Sequence, residues 1–484
     1  MHVKPLNSCF KDYLSPVIGL VTLCLAVLLI FQPDRLPMNS VVLAIFMMVV
    51  LCLVRMPVAV ALITAALAGG LHSGMSIPET INAMNDNLLI GAQVGITYVM
   101  IGALAVAIAR SGLIDLLACK LLASANQPSA SASGGFKLKV LLYGMFIGAS
   151  VLSQNLVPVH IAFIPVMVPP LLGVFNRLNI DRRAVACVLV CTISISYLLI
   201  PLGFGAIFLN DILLANLNAT GVDYGLSVTA TMVLKAMVLP VSGILCGMVV
   251  AVCISYRKLR VYQSTPQQTL AAAPVTPNIK PFQLLMTLLA LAIALAGQLF
   301  FDSLIAGALL GFITLSFSGI FHWHEQDDIF TQGLRMMMQI CVIITIASGF
   351  AGVLKATGHI DPLVQASAQA MGDNQMLAAI VMLLVGLLIT IGFGDSFASV
   401  PILAPIYIPL CINMGFSPMA TIALLGASAA LGDAGSPAST LTLGASAGLN
   451  ADGQHDLIKD SIIPTFLHAN TGMVIFAWLA AMIL

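Results

Sequence analysis

Charge is what this chain is short of. Asp, Glu, Lys and Arg together make up 8% of its 484 residues, against 60% hydrophobic. A water-soluble domain could not cover its surface with so few charges, and apolar runs recur along nearly the whole length, so the chain reads as an all-α polytopic membrane protein. Cysteine lacks pattern too. The ten cysteines sit mostly inside apolar runs, with only Cys187 and Cys191 at helical i, i+4 spacing, which signals neither a disulfide framework nor a zinc site. No phosphate-binding P-loop and no dinucleotide fingerprint follows a predicted strand, so ATP-driven transport has no support. No enzyme activity, cofactor, metal or nucleic-acid partner is expected; the partners are membrane lipid and a small solute.

What is present is a series of apolar tracts, at about 15–31, 38–54, 57–71, 91–109, 184–212, 231–256, 281–301, 303–320, 336–354, 419–447 and 461–484. Each approaches the roughly 20 residues that a helix needs to cross the hydrocarbon core. Lys4 and Lys11 precede the first tract, but "FQPDRLP" after it has no small-residue cleavage pattern, so an uncleaved span is expected. Threaded from a cytoplasmic N-terminus, about eleven crossings put every Lys and Arg except Arg35, Lys235 and Lys355 on the inner side, and the C-terminus outside. That asymmetry places the chain in a plasma membrane, the inner one in a bacterium. "SANQPSASASGG" (124–135) and "YQSTPQQTLAAAPVTPN" (262–278) read as flexible linkers, the second separating two halves.

Two stretches, 140–175 and 376–413, are left over. Lys137 and Lys139 precede the first, and Arg177, Arg182 and Arg183 follow it, so both of its ends belong in the cytoplasm. Its first arm, Val140 to Leu152, gives only about 20 Å of helix. A re-entrant hairpin with its tip near Ser153, Gln154 and Asn155 accounts for both facts. Asn155, Pro165 and Pro169 fall on Asp395, Pro405 and Pro409 at one constant offset, and after a slightly shorter turn Pro201 falls on Pro437. Upstream, Gly112 and Asp115 match Gly358 and Asp361. The turn "NRLNIDRR" (176–183) is basic whereas its counterpart "INMGFSPM" (412–419) is uncharged, so the second hairpin enters from the outside. The expected organisation is an extra N-terminal helix at 1–37, a first inverted repeat at 38–260, a linker at 261–280 and a second inverted repeat at 281–484. In such transporters the cargo binds where broken elements of the two halves meet.

The stretch "GFGDSFASVPILAPIYIP" (392–409) then acquires a purpose. Irregular backbone is tolerated at membrane depth only where protein or a wet cavity covers it. Gly392, Gly394 and the prolines interrupt the helix, and Asp395 supplies negative charge for a small cation. Asp433 lies in a second acidic break with Gly435, Ser436 and Pro437. Ser194, Ser196, Pro201 and Gly203 line a third, and Phe393 and Ser396 flank the tip. The set is rich in oxygen and nearly free of nitrogen bases, which suits a hard monovalent cation or protons. Both acids can alternatively cap broken helices. His160 and His468 are candidate proton relays, although a lone histidine is more often a packing residue. Asp211 reads as a loop carboxylate, "HWHEQDD" (322–328) as a solvated turn, and "LNADGQHD" (449–456) lacks the spacing of a calcium loop.

At "SQNLVPVHIAFIPVMVPPL", "NIDRRAVACVL", "GFGDSFASVPI" and "ALGDAGSPASTLTLGASAGLNADGQHD" the chain resembles the NhaC-type sodium/proton antiporter family, especially the branch with amino-acid permeases for histidine. The resemblance implies the plan of the ion-transporter superfamily, whose dimeric members have eleven spans, two opposed hairpins and sodium sites at the hairpin tips. It therefore implies a homodimer, and tips at Ser153 to Asn155 and Gly392 to Ser396. Dicarboxylate carriers of that superfamily use Ser-Asn-Thr tips; the Gly-Asp-Ser tip here favours cations, protons or a cationic or zwitterionic amino acid. The expected function is Na⁺/H⁺ antiport by alternating access, with Asp395 as principal carrier and Asp433 as its partner. An H⁺- or Na⁺-coupled permease for an amino acid such as histidine is the alternative, motivated by the family branch and by Tyr197, Phe204, Phe393 and Phe397 near the breaks.

Overall fold

The computed structural model describes residues 38–113, 116, 132–155, 168–263 and 281–484, apart from positions 55, 302 and 373. The expected span at 15–31, the return arm of the first hairpin with His160, Asp115 and most of both linkers lie outside the described residues.

Among the described residues every regular element is a helix. The first half comprises α1 (Ser40–Leu53), α2 (Val58–His72), α3 (Ile77–Asp86), α4 (Leu88–Arg110), α5 (Ala132–Asn155), α6 (Leu172–Arg177), α7 (Arg182–Leu199), α8 (204–221) and α9 (Ala230–Ser255). The second comprises α10 (Pro281–Phe301), α11 (Leu304–Phe317), α12 (Gln326–Ala356), α13 (Ile360–Met371), α14 (Gln375–Phe393), α15 (Ser396–Asn413), α16 (Pro418–Ala430), α17 (Thr440–Leu449) and α18 (Leu457–Ile483). Eight of the described helices are long and apolar enough to cross a membrane, with shorter apolar helices between them. Large apolar side chains such as Leu299 and Phe300 stay exposed, as lipid-facing residues do. The protein is an all-α integral membrane protein.

Three sequence expectations change. Helix α5 begins at Ala132, inside the stretch read as a linker, and runs for 24 residues. Lys137, Leu138 and Lys139 are good helix formers, and a helix nucleated by the neighbouring apolar segment extends through them and across the weaker Ser133, Gly134 and Gly135. The turn in "HWHEQDD" is confined to Trp323–Glu325, where His322 and Glu325 form a reciprocal cap. Asp327 and Asp328 already belong to the first turn of α12, where the positive end of the helix dipole favours them. Asp211 is not in a loop but within the wide π-type turns of Ile207–Leu214, in α8.

The relative directions of the helices follow from a few contacts. Helices α9 and α18 run antiparallel and close together, with the backbone of Gly472 against Gly243 and that of His468 against Gly247. Small residues permit this approach where no hydrophobic force drives helices together in lipid. The start of α9 and the end of α18 thus share one face of the molecule. Helices α14 and α15 begin and end there too: Ser417 Oγ donates to Leu484 O at 2.9 Å, and Trp478 Nε1 donates to Met376 O at 3.1 Å. Gln375 Nε2 donates to Met414 O at 3.0 Å, so the two arms return to the same level. By contrast, Lys139 and Tyr143 of α5 border a cavity with Tyr256, Arg257 and Lys258, at the other end of α9. Helix α5 and the α14–α15 hairpin therefore enter from opposite faces.

The face that carries α5's start is the basic one. Arg182 is fully buried there and forms a bidentate pair with Asp452, at 2.6 and 2.5 Å. It also donates to Leu449 O and Asn176 Oδ1 and lies over the Tyr262 ring. The "LNADGQHD" loop is thus a structural clasp that ties the first half to the second.

Candidate functional site

Helix α14 ends because Gly394 takes the left-handed conformation, φ +63°. Asp395 is extended and caps α15, its Oδ1 accepting from Phe397 N and Ala398 N at 2.9 Å each. This hairpin tip is pressed into the non-helical stretch 431–439. A Cβ on Gly394 would lie 2.5 Å from Ser439 N and 2.6 Å from Ala438 C, so only glycine fits. Ser436 Oγ accepts from Ala438 N and donates to Ile391 O of α14, tying the break to the hairpin. Asn470 of α18 clamps the same break, accepting from Gly432 N at 3.3 Å and donating to Ala434 O at 3.0 Å.

Asp433 is where the network converges. Its Oδ2 accepts from Tyr197 OH and Ser396 Oγ, both at 2.8 Å, and its Oδ1 from Ser439 Oγ at 3.3 Å. Tyr197 OH and Ser396 Oγ are themselves 2.7 Å apart. Asp433 is only 6% exposed, and these three donors are neutral hydroxyls. Among the described residues neither Asp433 nor Asp395 forms an ion pair. A buried carboxylate without a counter-ion costs several kcal/mol unless a proton or a cation neutralises it. Tyr197 comes from α7, Ser396 from the hairpin and Asp433 from the second break, so this one carboxylate joins the two halves. Phe397 reinforces the junction, its ring 5.4 Å from each of Tyr98, Tyr197 and Phe208.

The other tip is built from amides rather than acids. Helix α5 is described as far as Asn155, which lies against the break between α7 and α8. Gly203 there has φ +56°, and a Cβ on it would lie 2.9 Å from Asn155 Cα. Asn155 Nδ2 donates to Val151 O, Ser153 Oγ to Ser150 O and Ser196 Oγ to Ile193 O. Gln154 Oε1, Asn155 Oδ1 and Ser194 Oγ are buried with no hydrogen-bond partner among the described residues. Each orphaned acceptor costs about 1–3 kcal/mol unless a donor or cation reaches it.

Several expected residues lie elsewhere. Pro201 and Pro437 stand in the breaks with exposed side chains. Gly392 packs toward Val49 and Cys52 of α1, and Gly435 against Phe466 of α18. The side chain of Phe393 lies outside the described residues. His468 is spent on packing: Nδ1 lies 2.7 Å from Pro464 O and Nε2 2.8 Å from Ser255 Oγ, near the basic end of α9. Because a carbonyl oxygen only accepts, Nδ1 carries the proton.

Helix α15 adds a feature of its own. Pro401, Pro405 and Pro409 stand in its interior. Each lacks an N–H, so the carbonyls of Phe397, Pro401 and Pro405 receive no helical hydrogen bond. Two of these prolines line a cavity of about 110 Å³ together with Asn87, Asn216, Thr220 and Ser348. An ion pair, Lys355 Nζ to Asp223 Oδ2 at 2.6 Å, borders its mouth.

Comparison with known proteins fits this geometry. Residues 188–481 match the model of the Na⁺/H⁺ antiporter family, and residues 39–124 match a second Na⁺-H⁺ antiporter family model. The chain belongs to the Na⁺/H⁺ antiporter family. The first match contains Tyr197, Ser396, Asp433 and Ser439; the second contains Tyr98. An uncharacterised membrane protein of Vibrio parahaemolyticus is 47% identical, covering 92% of this chain and 100% of that one. YuiF of Bacillus subtilis, provisionally named an amino acid transporter, is 42% identical over the same shares. Among solved structures, Alcanivorax borkumensis YdaH aligns with a TM-score of 0.57 at 18% identity, covering 91% of this chain and 98% of that one. Neisseria gonorrhoeae MtrF, described as illuminating a class of antimetabolite efflux pumps, aligns at 0.56 and 18%, covering 84% and 83%. These likenesses bear on the fold, which is that of membrane transporters.

Proposed function

We propose that this transporter exchanges Na⁺ for H⁺ by alternating access, with Asp433 as the group that carries one ion or the other. The observation that carries the reading is a buried carboxylate at the junction of both halves, held by three hydroxyls and with no counter-cation among the described residues. A proton and a sodium ion each neutralise it, and because one carboxylate accepts only one of them at a time, their movements are coupled. Asp395 has the supporting part, since its Oδ1 is committed to capping α15 and so fixes the tip that delivers Ser396. The orphaned oxygens of Gln154 and Asn155 are candidate ligands on the opposite side of the junction. Arms entering from opposite faces, each pressed against a break, support an inverted repeat of 38–260 and 281–484. In this reading the basic face is cytoplasmic, in the inner membrane of a bacterium.

The test is exchange in proteoliposomes. A sodium pulse is expected to drive proton movement, read by a pH-sensitive dye, and Asp433→Asn should abolish it while Asp395→Asn impairs it chiefly through stability. An amino-acid permease is the second reading, favoured by the YuiF relative. Uptake of a labelled amino acid such as histidine, without any sodium-evoked proton movement, would establish that reading in place of the first.

A further inference from the structure

The basic face holds a second site that ion exchange does not use. A cavity of about 510 Å³ opens between the start of α5 and the end of α9, bordered by Lys139 and Tyr143 on one side and Tyr256, Arg257 and Lys258 on the other. Asp181 also lines it, but its charge is already taken. It receives Arg183 Nε at 3.1 Å on both oxygens and Arg183 Nη2 at 2.6 Å, besides capping α7 through Arg183 N. Lys139, Arg257 and Lys258 form no ion pair among the described residues. Three cations without a counter-ion among the described residues therefore face one space. Exposed apolar side chains flank it, Val140 at 53% and Ile254, beside the lining Cys253, at 71% exposure. The site is remote from the ion junction: Lys139 lies about 24 Å along α5 from Asn155.

We propose that this cavity binds the phosphate headgroup of an anionic phospholipid, whose acyl chains lie along Val140 and Ile254. The cations neutralise the phosphodiester, Tyr143 and Tyr256 offer amphipathic rings at headgroup level, and the lipid fills a gap between two helices that no described side chain fills. A headgroup bound there bridges α5, the arm that carries Asn155, to the end of α9. Free phosphate shares the chemistry but has no use for the apolar walls.

Native mass spectrometry of the purified full chain, titrated with phosphatidylglycerol or phosphatidylcholine, tests this. Each cation at an anionic lipid surface contributes a factor of roughly five, so K139Q/R257Q/K258Q should weaken phosphatidylglycerol retention about 100-fold and leave phosphatidylcholine unaffected. The conservative K139R/R257K/K258R should retain it, as should R110Q/R335Q, which removes cations outside the cavity. Equal retention by the Gln variant overturns the proposal, as does full displacement of the lipid by millimolar inorganic phosphate. Should the triple variant fail to fold, R257Q/K258Q alone should lose about 25-fold. A photoactivatable phosphatidylglycerol should then label wild-type protein around Tyr143 and Tyr256, and labelling confined to other segments overturns the assignment.

Discussion

Replacing Gly394 by alanine adds a single methyl group at the point where the hairpin tip meets the second break. The residue sits at φ +63°, where a Cβ costs about 1–2 kcal/mol. The new carbon would also lie 2.5 Å from Ser439 N and 2.6 Å from Ala438 C. Relief of those overlaps requires the tip to withdraw by about 1 Å, because non-bonded atoms settle near 3.5 Å. Overpacking of that kind adds about 1–3 kcal/mol, for a total of about 2–5 kcal/mol. The same withdrawal pulls Ser396 Oγ off Asp433 Oδ2, now 2.8 Å away. A misplacement of about 1 Å at a reacting centre costs on the order of 10²-fold. Gly394→Ala should therefore lower the apparent melting temperature and reduce exchange in proteoliposomes by about 100-fold. Gly444→Ala is the matched control: that glycine is helical, a Cβ there meets nothing within 4 Å, and alanine favours the helix by about 1 kcal/mol. Wild-type exchange by Gly394→Ala would refute the claim that the tip must seat against 431–439.

Breaking the buried clasp with Arg182→Gln should cost about 3–5 kcal/mol, because the buried Asp452 carboxylate loses its bidentate guanidinium partner, and it should show as a fall in melting temperature. Lys355→Gln, at an exposed pair, should shift stability by no more than about 1 kcal/mol. Burial lowers the His455 imidazole to a pKa of about 4, from 6.5. The unfolded chain takes up a proton that the folded chain refuses, so this contribution is intact above pH 6.5 and is lost as pH falls towards 4. The loss reaches about 3 kcal/mol. His455→Gln should flatten the acid limb of a melting-temperature profile over that window, and an unchanged limb would contradict the assignment. Pro405→Ala supplies the N–H that the Pro401 carbonyl lacks. The helix should become more stable while the half-saturating Na⁺ concentration rises, and unchanged sodium dependence would mean that the freed carbonyls are not used.

The parts of this account that were legible in the sequence are those that violate the apolar pattern. Asp395, Asp433 and the prolines of α15 stand out because charge and missing N–H groups are costly at membrane depth, so composition alone marks them. The roles within the set were not legible. Whether a carboxylate caps a helix or gathers hydroxyls depends on neighbours such as Tyr197, brought to Asp433 by tertiary packing across 236 positions. Ser439 and Asn470 carried no signal either, since serine and asparagine are common hydrogen-bonding residues between membrane helices. Prolines 201 and 437 stand in the breaks with exposed side chains, because a helix breaker fixes where the backbone departs and not what its ring meets. The Arg182–Asp452 clasp escaped for the same reason as Tyr197: its partners are distant in the chain and each alone reads as a loop charge.

Equilibrium binding of ²²Na⁺ to the purified protein tests the central claim most directly. Wild-type protein should bind sodium in competition with protons, Asp395→Asn should keep measurable binding if it folds, and Asp433→Asn should bind none. Sodium binding by Asp433→Asn with wild-type affinity and wild-type pH dependence would contradict the assignment of the exchanging group to Asp433.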